Sequence, residues 1–441
     1  MEQIKSTSNN IVIENMVSPQ YNLKPSNDSI ERRDDSNDES SIKNVASYDE
    51  INNLITHNNI DIKEEVPQNN NLNKPKPERK YWVDALRIYA SFLVIQIHYT
   101  GQCRTSCDKF KLYWDIGAIW DAFARSCVPL FVMISGIFFL NPKKELTLSK
   151  LFKKNIYRIT KSLLFWNTFY ATVSRFLVNE KKKKFTWDLA LLKVVLKEIF
   201  LGGKYHLWYL YMCIGLYILT PTIRPITANK LATKYYIIFS VGILSSIQFT
   251  SSVVKDYYPD NGVTNYIDEF IKEFTFFFSY QYISYYILGY YLSQITIKSK
   301  TKLYLIYLFG IISICLTCVI KISLSHINKK ESNNYTESNW SFNIAVYTIA
   351  TFIFFKHTIN NLLEKLLKYK IIKTLVKTLS DLSFGVYLIH VFYLELFRRF
   401  NIRPYVKHTY ITIPLFTTII WILCNITIYI IKKIKILRDF V

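Results

Sequence analysis

Cysteine is scarce in this 441-residue chain: the seven present are dispersed, which excludes a disulfide-built scaffold. Five of them (Cys127, Cys213, Cys315, Cys318 and Cys424) fall in apolar runs, where a thiol acts as a small, weakly polar side chain. Cys103 and Cys107 share a polar loop and can pair only if that loop meets an oxidising compartment; no His or carboxylate cluster completes a metal site there. Acidic residues are also few, 33 Asp and Glu against 55 Lys and Arg, for a net charge of +22. Such an excess would suit nucleic acid, but there is no basic stripe with interleaved surface aromatics, and the charges lie between long apolar runs. Nucleic acid is therefore not an expected partner. The first thirty residues lack an apolar leader and a small-residue cleavage site, so a removable signal peptide is not expected and the first spanning helix does the targeting. No G-x-S-x-G elbow occurs, which argues against a soluble Ser-His-Asp triad.

Apolar side chains, by contrast, are abundant. Half of the residues are hydrophobic and 16% are aromatic, more than a soluble core of this length needs, so lipid is the implied solvent. Residues 1–80 differ from the rest, with 10 Lys/Arg against 14 Asp/Glu; they contribute −4 to the total of +22, and the remainder of the chain holds +26. This segment contains clusters such as DDSNDES and PQNNNLNKPKPERK and no apolar periodicity, and it reads as a disordered polar cytoplasmic tail. Apolar stretches of helical length follow at about 82–100, 118–140, 159–178, 205–222, 235–254, 273–294, 303–323, 341–358, 380–397 and 410–431. The expected fold is an all-α polytopic membrane protein of about ten transmembrane helices over residues 81–431, with a basic cytoplasmic C-terminus at 432–441. Basic residues before Tyr81 (Lys74, Lys76, Arg79, Lys80) place the N-terminus in the cytoplasm, and ten spans return the C-terminus to the same side. The seven basic residues from Lys143 to Lys161 agree with that topology, whereas Lys181–Lys184 and Arg398, Arg399 and Arg403 would face outward. The sequons Asn334-Tyr335-Thr336 and Asn339-Trp340-Ser341 lie in an expected exterior loop.

The first span, YWVDALRIYASFLVIQIHYT, carries Asp84, Arg87 and His98. An ionisable group in hydrocarbon is expensive unless it is paired or faces a wet cavity, so such residues mark function. Arg87 and His98 are eleven positions apart, three helical turns and about twenty degrees, which places them on one face with a rise of roughly 16 Å between them. Asp84 and Ser91 extend that polar stripe. Asp84 and Arg87 can equally be an interfacial ion pair. His98, aligned with them above an otherwise apolar helix, reads as functional, because imidazole is the natural general base for a hydroxyl near neutral pH.

The spacing Arg87, ten residues, His98 within DALRIYASFLVIQIH resembles the signature of the acyltransferase-3 family of integral-membrane acyltransferases. Further similarities occur in order: PLFVMISGIFFL with Ser135 and Gly136, a basic segment ending in Tyr157-Arg158-Ile159, YHLWYLYMCIGLYILTP from Tyr205 to Pro221, and LSFGVYLIHVF in the ninth span. Together they cover residues 80 to about 430, and the HLWYLY segment is most similar to the branch of polysaccharide O-acetyltransferases. Where some relatives carry an acidic residue after that segment, this chain has Met212-Cys213, so that carboxylate's role is not carried over.

The resemblance implies transfer of an acyl group, usually acetyl from acetyl-CoA, to a hydroxyl on a glycan, glycolipid or other acceptor, without a permanently bound cofactor. His98 and Arg87 become the expected catalytic residues, and Asp84, Ser135, Arg158, His206, Trp208 and Tyr209 the expected binding residues. Arg87 and Arg158, with Lys150, Lys153, Lys154 and Lys161, would meet the phosphates of CoA. Without the resemblance, Trp208 and Tyr209 are interfacial belt residues and Ser135-Gly136 is a close helix approach. His390 reads as a packed, hydrogen-bonded structural histidine. Two rivals remain: a proton-coupled secondary transporter, disfavoured by only 11 glycines, 12 prolines and no evident repeat, and an acyltransferase-like protein without catalysis.

Overall fold

In lipid, a chain must satisfy its backbone hydrogen bonds within itself, and every regular element among the described residues is helical. The computed structural model describes residues 78–178, 203–258, 277–329, 341–400 and 408–441, with single positions between them. The expected tail up to residue 77, Lys181–Lys184, Arg403 and the sequon at Asn334 lie outside the described residues.

The helices are α1 (Tyr81–Ser106), α2 (Leu112–Ala124), α3 (Cys127–Phe139), α4 (Tyr157–Val178) and α5 (Trp208–Ala228). They continue with α6 (Lys230–Tyr257), α7 (Phe277–Gln294), α8 (Lys300–Asn328), α9 (Phe342–Leu366), α10 (Lys370–Arg399) and α11 (Thr409–Lys433). Each expected span falls on one of these, with α2 and α3 joined end to end as one. Among the described residues, six helices are long and apolar enough to cross a membrane: α2 with α3, α6, α8, α9, α10 and α11. α1 is outside that group, carrying Asp84, Arg87 and Arg104 among its residues.

Local chemistry sets several helix ends. Asn229 caps α6 by accepting from the backbone N–H of Leu231 and Ala232, 2.9 and 3.1 Å away. Lys356 donates to the carbonyls of Leu292 and Ser293 (2.8 and 2.9 Å) and of Ile295, satisfying acceptors left over at the end of α7. A π-helical turn, Leu151–Ile156, leads into α4; such wide turns break the regular ladder and recur near functional sites.

α1 is the central element, packed against α2, α3, α10 and α11, and its Val83, Leu86, Ala90, Leu93 and Ile95 belong to the main core. α8 lies at the other extreme. Its Leu308, Phe309, Ile311, Ile312, Leu316 and Val319 are exposed, an apolar surface that lipid would cover. α3 and α7 approach to backbone contact. A Cβ on Gly136 would lie 1.9 Å from the Tyr286 carbonyl oxygen, and one on Gly289 would lie 2.2 Å from that of Met133, so glycine at both positions is what lets these helices touch. Cys103 and Cys107 are both buried, and both thiols are free.

Candidate active site

α1 and α10 run side by side in the same direction, linked at two levels. At the first, Ser380 of α10 donates to Asp84 over 2.7 Å and accepts from Arg87 over 3.2 Å. Asp84 also receives two bonds from Arg79, at 2.6 and 3.1 Å, and lies 3.7 Å from Arg87; Arg79 reaches on to Asp381 at 2.8 Å. The bond to Asp84 strengthens Arg79's hold on its proton. Asp84, almost fully buried, is thereby matched by two guanidiniums and a hydroxyl, which is what a carboxylate at this depth requires.

Arg87 is only half-buried, because its other side faces a cavity of about 690 Å³. Arg158 and Lys432 also line this space, with Asn155 supplied by the π-helical turn before α4. The guanidiniums of Arg87 and Arg158 lie against Phe138 and Phe384, 5.6 and 5.5 Å from the ring centroids, so aromatic faces hold both cations toward the cavity. Three cations against the single carboxylate of Asp381 leave this ligand-sized space with an excess of positive charge, which suits an anion bearing more than one negative group. Further along, Phe131, Ile134 and Leu210 make the walls apolar, and Tyr209 and Tyr387 pack together with centroids 5.3 Å apart. Tyr387 stands two turns beyond Ser380 on α10, so the cavity follows that helix away from the charges.

At the second level, the ring of His98 stacks on His390, with centroids 5.1 Å apart and planes 23° from parallel. His206 packs edge-on against His390, also at 5.1 Å, and Tyr205 against His98 at 5.2 Å. Tyr387 joins this cluster to the cavity: it lines the cavity, its hydroxyl donates to the His206 carbonyl, and its ring lies 5.9 Å from that of His206. His390 and His206 are fully buried, whereas His98 is half-buried and makes no hydrogen bond among the described residues. Gly203, at φ 51°, lets the chain press against Asn167, whose Oδ1 would lie 2.1 Å from a Cβ at that position, and so turns Lys204, Tyr205 and His206 into the bundle. Lys204 forms an ion pair with buried Glu395 of α10. No group of His, Cys, Asp or Glu suited to a metal ion occurs among the described residues.

The acyltransferase-3 profile, described as an acyltransferase domain, matches residues 80–431, well over half of the chain. The chain belongs to the acyltransferase-3 family. No curated protein and no solved structure matches it significantly. Family and apolar helices together make it a membrane protein with the fold of a membrane acyltransferase.

Within this acyltransferase-3 chain, Arg87, Ser135, Arg158 and Tyr209 share the cavity. His98 and His206 lie beyond it in the histidine cluster, and Asp84 sits behind Arg87 without lining the cavity. Trp208 is partly exposed and does not line the cavity, its ring 5.5 Å from Tyr282 and edge-on to Tyr209 at 6.4 Å, and Ser135 donates to its own helix at Phe131 over 3.1 Å. His390 is packed and hydrogen-bonded as expected, and its position against His98 is new. Lys150, Lys153 and Lys154 are exposed and do not line the cavity.

Other members of the site escaped sequence reasoning. Ser380, Asp381 and Tyr387 belong to one helix whose motif LSFGVYLIHVF drew attention only at its histidine; Ser380 and Tyr387 are seven positions apart, two helical turns, and that spacing was the available signal. A buried charge cluster at the His98 end of α1 is a second omission. Asp121 of α2 accepts from Arg125 at 2.9 and 2.5 Å and from Thr100 at 3.3 Å, and lies 3.7 Å from Lys321 and 3.9 Å from Arg104. Lys321 is completely buried, on a helix that by hydropathy is the most apolar of the candidate spans.

Proposed function

We propose that this membrane acyltransferase moves an acyl group, acetyl in its expected form, from acyl-CoA to a hydroxyl of a carbohydrate or other acceptor. The observation that carries the reading is the pairing of α1 with α10, which puts a cation-lined cavity at one level and a histidine cluster at the other. Arg87, Arg158 and Lys432 neutralise donor phosphates, and the apolar part of the cavity takes the thioester arm. The rise of roughly 16 Å from Arg87 to His98 is a distance an extended arm can bridge. His98 removes the proton from the acceptor hydroxyl as its oxygen attacks the thioester carbonyl. The C–O bond forms, the C–S bond breaks, and the proton returns from His98 to the departing CoA thiolate. Direct attack needs no acyl-enzyme. With both termini in the cytoplasm, as the basic loops suggest, the donor enters from the cytosolic side.

The test is transfer and thioester turnover by the purified full-length chain in nanodiscs with radiolabelled acetyl-CoA, comparing wild type with His98→Ala and Arg87→Ala. The reading expects label transfer to be lost in His98→Ala with donor binding kept, and donor binding to weaken in Arg87→Ala. A folded wild type that binds neither acetyl-CoA nor longer acyl-CoAs would overturn it in favour of transport.

A further inference from the structure

The hydrogen bonds of the two fully buried histidines fix their tautomers. Nδ1 of His390 lies 2.6 Å from the Tyr387 carbonyl oxygen. A carbonyl only accepts, so Nδ1 carries the proton, and in the neutral ring Nε2 is a bare acceptor. For His206 the pattern is reversed: Nε2 lies 3.3 Å from the Leu388 carbonyl and is the donor, which leaves Nδ1 bare. Tyr170 reinforces the arrangement, donating to that same carbonyl over 2.7 Å and accepting from the Phe392 N–H at 3.3 Å. Both bare nitrogens, His390 Nε2 and His206 Nδ1, are buried and have no hydrogen-bond partner among the described residues. An acceptor buried without a donor is unfavourable, and two in adjoining rings require explanation.

We infer that His206 and His390 are acceptor-positioning groups, whose bare nitrogens receive hydrogen bonds from hydroxyls neighbouring the one that His98 deprotonates. The inference rests on the acyl-transfer reading and adds to it a requirement on the acceptor: adjacent hydroxyls on one small framework. The rings of His98 and His206 each lie with their centroids 5.1 Å from that of His390, so hydroxyls bound to neighbouring rings are near neighbours themselves. Tyr205 is half-exposed and stands edge-on to His98, an aromatic surface beside the general base that the same acceptor can pack on. A site built to pair with hydroxyls rejects analogues lacking them, because its own acceptors are then left unsatisfied. Both histidines donate only to backbone carbonyls, so the orientation does not depend on another titrating side chain. The charged pair Lys204–Glu395, the phenols of Tyr170, Tyr205 and Tyr387 and the neighbouring imidazoles are ionisable groups packed around them.

The experiment is acetyl transfer from radiolabelled acetyl-CoA by the full chain in nanodiscs to trans-cyclohexane-1,2-diol or to cyclohexanol. Wild type is expected to favour the diol by about tenfold in kcat/KM, the size one ordinary hydrogen bond supplies. His390→Leu is expected to lose that preference through a raised KM for the diol, read as the ratio of kcat/KM for the diol to that for cyclohexanol, so that a general loss of activity cancels. His390→Gln places an amide oxygen near the position of Nε2 and is expected to restore the preference, which a purely structural role would not do. Equal use of the two alcohols by wild type overturns the inference without any variant, and so does a preference that survives in His390→Leu; the nitrogens then hold structural water only. Absence of transfer to either alcohol, with acetyl-CoA bound and not turned over, overturns the acyl-transfer reading and this inference together. Transfer without discrimination overturns this inference alone.

Discussion

His98 and His390, from the first and tenth helices described, stack with ring centroids 5.1 Å apart. One ring has no hydrogen bond among the described residues, and the other is locked by the Tyr387 carbonyl. A fixed imidazole beside an unfixed one suits a division of labour in which only the unfixed ring changes protonation. Replacing His98 by Gln is therefore expected to lower kcat for acyl transfer by about 10²–10⁴-fold, the usual contribution of a general base, while acetyl-CoA binding stays within about twofold. Calorimetric binding alongside single-turnover kinetics would check this, and an equal loss of binding and rate would refute it.

Ser380 is the hinge of the other level, bonded to Asp84 and Arg87 at once. Ser380→Ala removes both bonds and frees Arg87 to reorient. Donor affinity is expected to weaken by about five- to tenfold, with kcat changed less, in line with about 1 kcal/mol for a hydrogen bond. The affinity for acetyl-CoA measured at fixed acceptor concentration decides it.

Asp121 is the carboxylate shared by Arg125, Lys321 and Arg104 in a nearly water-free setting. Asp121→Asn leaves buried cations facing one another, and a loss of about 3–5 kcal/mol is expected. Thermal unfolding in nanodiscs should show a clearly lower midpoint, and a smaller drop for Lys321→Met, which removes a cation and keeps the volume. An unchanged midpoint in Asp121→Asn would show that the cluster is not a structural requirement.

The contact of α3 with α7 gives a cleaner steric test. A methyl at Gly136 would overlap the Tyr286 backbone, whereas a Cβ at Gly215 meets nothing within 4 Å. Gly136→Ala is expected to destabilise by about 1–3 kcal/mol through forced separation of the helices. Gly215→Ala should be neutral or slightly stabilising, since alanine restricts the unfolded chain. Equal midpoints for the two variants would contradict the packing described.

The apolar runs and the ionisable residues inside them were readable from the chain, because both are local. A run of helical length declares a helix, and a charge within it declares an exceptional environment, whatever its neighbours are. This is why Arg87 and His98 stood out on one face of one helix, and why the order of motifs from residue 80 to about 430 carried the family. Lys321 is an informative exception: it is a charge in the most apolar span, but its partner Asp121 belongs to a helix far away in sequence, so nothing local disclosed the pairing.

What the sequence determined by itself, then, is a helical membrane acyltransferase with a polar stripe along its first helix. Only the tertiary structure decided which surface completes that stripe. α10 lies parallel to α1 in a register that sets Ser380 on Asp84 and Arg87, and His390 on His98. The register depends on close packing across the whole bundle, on contacts such as Gly136 with Tyr286 and on the seating of Tyr387 between cavity and histidines. Periodicity shows which face of a helix is polar; which partner meets that face, and at what height, is fixed by side chains from every helix packing at once.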